Sequence, residues 1–112
     1  MNNTIKLVGK KRVSPNDIVL LKADANYTEV MLKGGEQVIV SKTLKEMEKA
    51  FTQFSSFFRT HKSFMVNLDH IEGVQLNGVK SEVRLIDNFN ADISRRRKDA
   101  FLSILRQRTA FG

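Results

Sequence analysis

Cysteine is absent from this chain, and histidine occurs only at positions 61 and 70. Without cysteine there is no disulfide framework and no thiolate metal site, a usage that fits a reducing compartment. His61 and His70 have neither a His-x-x-x-His spacing nor a paired carboxylate motif to make a metal centre, so no metal and no cofactor is expected. Long apolar runs are also missing. Nothing approaches the roughly 18 residues of a membrane helix, and the opening MNNTIKLVGKKRV lacks the apolar centre of a signal peptide. The expected location is the cytoplasm. No nucleophile stands beside a base, and there is no glycine-rich phosphate loop or acid pair, which argues against an enzyme.

What is present is a folding chain with a positive excess. Its 112 residues suffice for one domain with a real core, expected to span 1–112. A hydrophobic fraction of 41%, with eight phenylalanines, separates it from disordered sequences. Nineteen Lys and Arg stand against 12 Asp and Glu, a net charge of +7, which points to a polyanionic partner. The excess has a location. Between Ser94 and Arg108 lie six cations (Arg95, Arg96, Arg97, Lys98, Arg106 and Arg108) and one acid, Asp99, while the rest is nearly balanced.

The pattern predicts short antiparallel strands at 5–8, 18–22, 27–33 and 37–40, separated by Pro15-Asn16-Asp17, Asp24-Ala25-Asn26 and Gly34-Gly35. The two glycines suit a tight hairpin because both accept positive φ. From Thr43 to Phe54 the period becomes helical, with Leu44, Met47, Phe51 and Phe54 on one face. Ser41 or Thr43 is the expected cap, with Glu46 completing a capping box on Thr43. Strands are expected again at 57–60, 64–67, 71–76 and 82–86, with turn signals at Asn77-Gly78 and Asp87-Asn88, and a short piece at 91–93 closing the sheet. Ser94 reads as the N-cap of a terminal helix with Ala100, Phe101, Ile104 and Leu105 as its apolar stripe. That helix is expected to run to about Arg106, and 109–112 to be a frayed end.

Three constellations carry chemistry. Arg95, Arg96, Arg97 and Lys98 occupy the first turn of the last helix, where each cation opposes the dipole at roughly 0.3–1 kcal/mol. Cations added to free N–H groups make an anion site, phosphate being the obvious anion, although charge runs are commonly plain solvated surface. In FFRTHKSFMVN (57–67), His61, Lys62 and Ser63 form the tip of a hairpin with apolar flanks. Strand alternation predicts that Arg59 and His61 emerge on one face, beside Lys62 as DNA contacts, and Phe58 and Thr60 on the other. For His61, a ring nitrogen bonded to a backbone carbonyl and a DNA contact are equally open readings. In Asp24-Ala25-Asn26-Tyr27, Asn26 suits a left-handed turn position, and Tyr27 suits core, phosphate donation or stacking. Asn67 and Asp69 read best as turn or capping residues.

The succession IVLLKADANYTEV, SKTLKEMEKAF, FFRTHKSFMVNLDHI and ADISRRRKDAFLSIL resembles the LytTR-type DNA-binding domain of bacterial response regulators, from about Val13 to Leu105. The specific pieces are an Arg-x-His-x-Ser-x-x-x-Asn frame met by Arg59, His61, Ser63 and Asn67, the pair Ser94-Arg95, and more loosely Asn26-Tyr27. The resemblance implies a mainly β fold: an elongated set of small antiparallel sheets with one amphipathic helix in mid-chain and one at the C-terminus. It implies loops entering successive major grooves of double-stranded DNA, with a minor-groove contact between. By position these are the turn before Tyr27, the tip at His61 and Lys62, and Arg95 to Arg97. Arg96 aligns best with a base-contacting Arg, a role suited to bidentate bonding of guanine. The implied function is transcription regulation within a two-component system, on direct-repeat sites, as a homodimer on DNA or with a separate sensor or receiver partner. The chain begins about a dozen residues before the match, so a standalone regulator or an excised domain is expected. Two other classes compete. The basic surface could bind an acidic protein partner, while an RNA binder would want aromatics exposed on a sheet face.

Overall fold

A computed structural model describes residues 4–76 and 80–111, with side chains described as far as residue 109. Its core is a five-stranded antiparallel sheet in the order β5-β4-β3-β7-β6. The strands are β3 (Ile18–Asp24), β4 (Tyr27–Leu32), β5 (Gln37–Val40), β6 (Phe57–His61) and β7 (Phe64–Asn67). A two-stranded piece, β1 (Ile5–Lys6) with β2 (Arg12–Val13), precedes it. A three-stranded sheet, β8 (Ile71–Gln75), β9 (Ser81–Leu85) and β10 (Asn90–Ile93), follows in the order β10-β9-β8. Residues 91–93 thus close this second sheet. The turn expected at Asn77-Gly78 lies outside the described residues.

Both faces of the central sheet are covered, and β3 shows how. Ile18, Val19, Leu20 and Leu21 are all buried, at 0–2% exposure. Strict alternation would send neighbours to opposite faces, but the pairing of β3 with β4 shifts register between Ile18 and Leu20. Ile18 and Leu21 therefore join one core, with Met47, Phe51 and Met65, while Val19 and Leu20 join the other, with Val83, Leu85 and Phe101. The first core lies under helix α1 (Leu44–Phe51), and the second under the three-stranded sheet and helix α2 (Arg95–Phe111). Seven phenylalanines pack into one core or the other. Asn67, 1% exposed, joins strand ends across the sheet: its Nδ2 donates to the carbonyls of Ile18 (2.9 Å) and Pro15 (3.3 Å), and its Oδ1 accepts from the Asp69 amide.

Local chemistry sets the helix ends. Thr43 and Glu46 form the capping box: the Thr43 hydroxyl accepts from the Glu46 amide at 3.2 Å, and the Glu46 carboxylate accepts from the Thr43 amide at 3.1 Å. Hydrogen bonds from the Thr43 backbone and hydroxyl hold the Glu46 carboxyl below its ordinary range. The helix stops at Phe51, three residues earlier than expected, and Phe54 still packs on its core from the turn beyond. Helix α2 instead runs past Arg106 to Phe111. Arg108 is pinned to Asp69, and the Thr109 hydroxyl donates to the Leu105 carbonyl, so the expected fraying at Thr109 is replaced by anchored helix. Ala100 is exposed, and Leu102 packs with Phe101, Ile104 and Leu105 in its place.

Candidate nucleic-acid interface

Three segments expected to carry polar and basic groups meet along one rim, and the sheet order explains the meeting of the first two. Because β3 lies between β4 and β7, the β3–β4 turn and the β6–β7 turn emerge at the same end. The Ala23 amide donates to the Ser63 carbonyl at 2.8 Å, tying one turn to the other. On the far side of the tip, the Ser94 amide donates to the Thr60 carbonyl at 2.8 Å, and the Thr60 hydroxyl donates to the Asp92 carbonyl at 2.9 Å. Those bonds dock the start of α2 against β6. The rim therefore runs from Ala25-Asn26 through His61–Ser63 to Ser94–Lys98.

At its first segment, Asp24 pairs with Tyr27 across a two-residue turn. Ala25 takes the positive φ of 54°, which corrects the expectation for Asn26. The register makes Ala25 the first central residue, and tertiary pairing overrides the side-chain preference that favoured Asn26. Asn26 is exposed, and Tyr27 is 49% exposed, which removes the core option for its ring. Lys22 is exposed beside Phe64, its Nζ 6.0 Å from that ring, and no sequence signal singled it out.

At the tip, strict strand alternation is broken. A bulge lies between Arg59, opposite Met65, and His61, opposite Phe64. The extra residue, Thr60, is wholly buried, and it breaks the phase that would have set Arg59 and His61 on one face. Arg59 goes to the α1 side. Its Nη1 meets the Glu48 carboxylate at 2.7 Å, its Nε donates to the His61 carbonyl at 2.9 Å and its Nη2 to the Lys62 carbonyl at 2.5 Å. His61 packs against Phe64, and its Nδ1 accepts from the Ser63 amide at 3.0 Å, so a neutral ring carries its proton on Nε2. Lys62 is exposed at the apex.

The third segment is capped as the sequence predicts: the Ser94 hydroxyl accepts from the Arg97 amide at 3.2 Å. No acid occupies the first turn, so the dipole and the cations add at one place. The four cations differ in placement. Arg95 and Arg96 are exposed, while Arg97 and Lys98 are half-buried. Arg97 Nη1 donates to the Arg59 carbonyl at 3.2 Å, folding that side chain back on β6. Glu48 and Thr60, which hold this arrangement together, are not marked by the sequence as partners of Arg59 and the α2 start, because each meets its partner across separate elements. Among the described residues no cluster of His, Cys, Asp or Glu could hold a metal, and no helix is long and apolar enough to cross a membrane.

Comparison with known proteins gives a consistent result. A solved structure, the LytTr DNA-binding domain of a protein described as a methyl-accepting/DNA response regulator from Bacillus cereus, is similar in fold. The TM-score is 0.76 at 22% identity, covering 92% of this chain and 94% of that one. No match is found among curated proteins. The model of the LytTr DNA-binding domain matches residues 9–106, nearly the whole chain. The chain belongs to the LytTr DNA-binding domain family.

Proposed function

We propose that this chain is a sequence-specific double-stranded DNA-binding domain, one domain over 1–112, serving a bacterial transcription regulator. The observation that carries this reading is the adjacency of the three segments on one basic rim, in a member of a DNA-binding family. The turn at Asn26 and Tyr27, the tip at His61 and Lys62, and the start of α2 enter the grooves. Lys62, Arg95 and Lys98 supply phosphate contacts, aided by the free N–H groups of the helix. Arg96, which is exposed, reads a base. Copies bind direct-repeat half-sites, as a dimer on DNA or with a sensor or receiver partner, in a two-component system of the bacterial cytoplasm. Seven of the eight phenylalanines pack into the two cores, which disfavours a sheet face that stacks RNA bases.

Selection from a random duplex pool at about 150 mM salt tests this, since nonspecific charge attraction is weak there. A repeated motif among the bound sequences is the expected result. No enrichment would overturn the reading and assign the rim to an acidic protein partner.

A further inference from the structure

Arg59 looks from sequence like one more cation offered to DNA, yet its side chain is only 13% exposed and its three guanidinium nitrogens are all engaged. Two of them hold successive carbonyls of the tip, His61 and Lys62, and the third holds Glu48 on α1. Its own carbonyl accepts from Arg97, at the start of α2. One residue thus touches the tip, the helix on the rear face and the helix on the rim.

We propose that Arg59 is a positioning residue, a bracket that sets the shape of the reading tip and its spacing from the α2 N-terminus, and that it does not itself contact DNA. A rigid fork suits this role: guanidinium presents fixed parallel donors, and two consecutive carbonyls held by one plane cannot rotate independently. Glu48 completes the bracket by fixing the plane against α1. The bracket acts on specificity, because a pre-formed tip lowers the ordering cost of a geometry-dependent contact and does little for charge attraction, which tolerates disorder. This inference rests on the proposed DNA reading for its consequence, though the bracket itself exists without DNA.

Two variants, Arg59→Gln and Glu48→Gln, test it with two readouts. The first is DNA-independent: amide exchange at Ser63, whose N–H is held by His61 Nδ1. Exchange should accelerate at least tenfold in Arg59→Gln and by a smaller factor in Glu48→Gln, at unchanged exchange of the central β3 amides. Unchanged Ser63 exchange in Arg59→Gln would overturn the bracket. The second compares the duplex most enriched by the wild-type chain with a scrambled duplex of equal composition. Affinity for the enriched duplex should fall about tenfold or more, with scrambled binding and the salt slope as in wild type. Equal losses on both duplexes, with the slope reduced by about one, would make Arg59 a phosphate contact and overturn the proposal. If Arg59→Gln does not fold, Glu48→Gln carries both readouts, and the same results support or overturn the bracket. Faster Ser63 exchange in a chain whose wild type enriches no duplex would sink the DNA reading and leave the bracket standing.

Discussion

The hairpin tip and the start of α2 both carry arginine, and they use it in opposite ways. At the tip, Arg59 is turned inward onto two carbonyls and a carboxylate, leaving Lys62 as the exposed cation. At the helix, Arg95 and Arg96 are exposed, while Arg97, one residue on, is spent on the Arg59 carbonyl. The difference follows from what lies in reach. A bulged strand beside a turn leaves carbonyls that its ladder does not use, and guanidinium is the side chain that can take two at once. The first turn of a helix has unpaired N–H groups and no spare carbonyls, so its cations find partners only where another element docks against them. Residue type, then, does not tell a reader from a brace; the acceptors around it do.

The strongest way to break this comparison is to remove what brings the two regions together. Phe101 is wholly buried in the second core and packs on Phe58 of β6, with ring centroids 5.7 Å apart. Phe101→Ala should cost about 3–5 kcal/mol of stability in denaturant unfolding, and should release α2 from β6. A loss below about 1 kcal/mol would mean that α2 is held elsewhere.

Next in size is the contrast within the helix itself. Arg96→Ala should leave stability within about 0.5 kcal/mol and cost about 1–3 kcal/mol of binding to an enriched duplex, with less lost on a scrambled one. Arg97→Ala should instead cost stability, on the order of 1 kcal/mol for its lost bond to the Arg59 carbonyl. Denaturation and duplex titration of the two variants side by side would sharpen the distinction. Interchanged behaviour would abolish it.

The smallest effect lies outside both regions and serves as a control. The Glu46 carboxyl is held below its ordinary range by Thr43, so its capping contribution is present above that range and is lost as pH falls through the lowered value. Glu46→Gln should remove this component from the pH dependence of unfolding while leaving duplex binding at neutral pH unchanged. Altered binding would tie α1 capping to the rim.

Much of this arrangement is legible in the sequence, wherever the signal is local. The Thr43-Glu46 box, the Ser94 cap and the glycine pair at 34 and 35, with φ of 87° and 96°, each rest on residues adjacent in sequence. Arg59 is legible as part of a motif, but its direction is not. Its orientation depends on a bulge whose register is set by pairing with Met65 and Phe64, and on Glu48 eleven residues back in another element. The same limit explains Ala25, whose positive φ comes from the pairing of Asp24 with Tyr27, and the end of α2, held by Asp69. The division of the strands into a five-stranded and a three-stranded sheet is likewise a property of long-range pairing.

The central claim is that three segments act as one DNA-contacting rim. The most direct measurement is a map of backbone amide shifts as the chain is titrated with its most enriched duplex. We predict changes concentrated at residues 24–27, 61–63 and 94–98, appearing together at one stoichiometry. Changes confined to one of the three, or centred on the Gly73 and Arg84 face of the three-stranded sheet, would contradict the account.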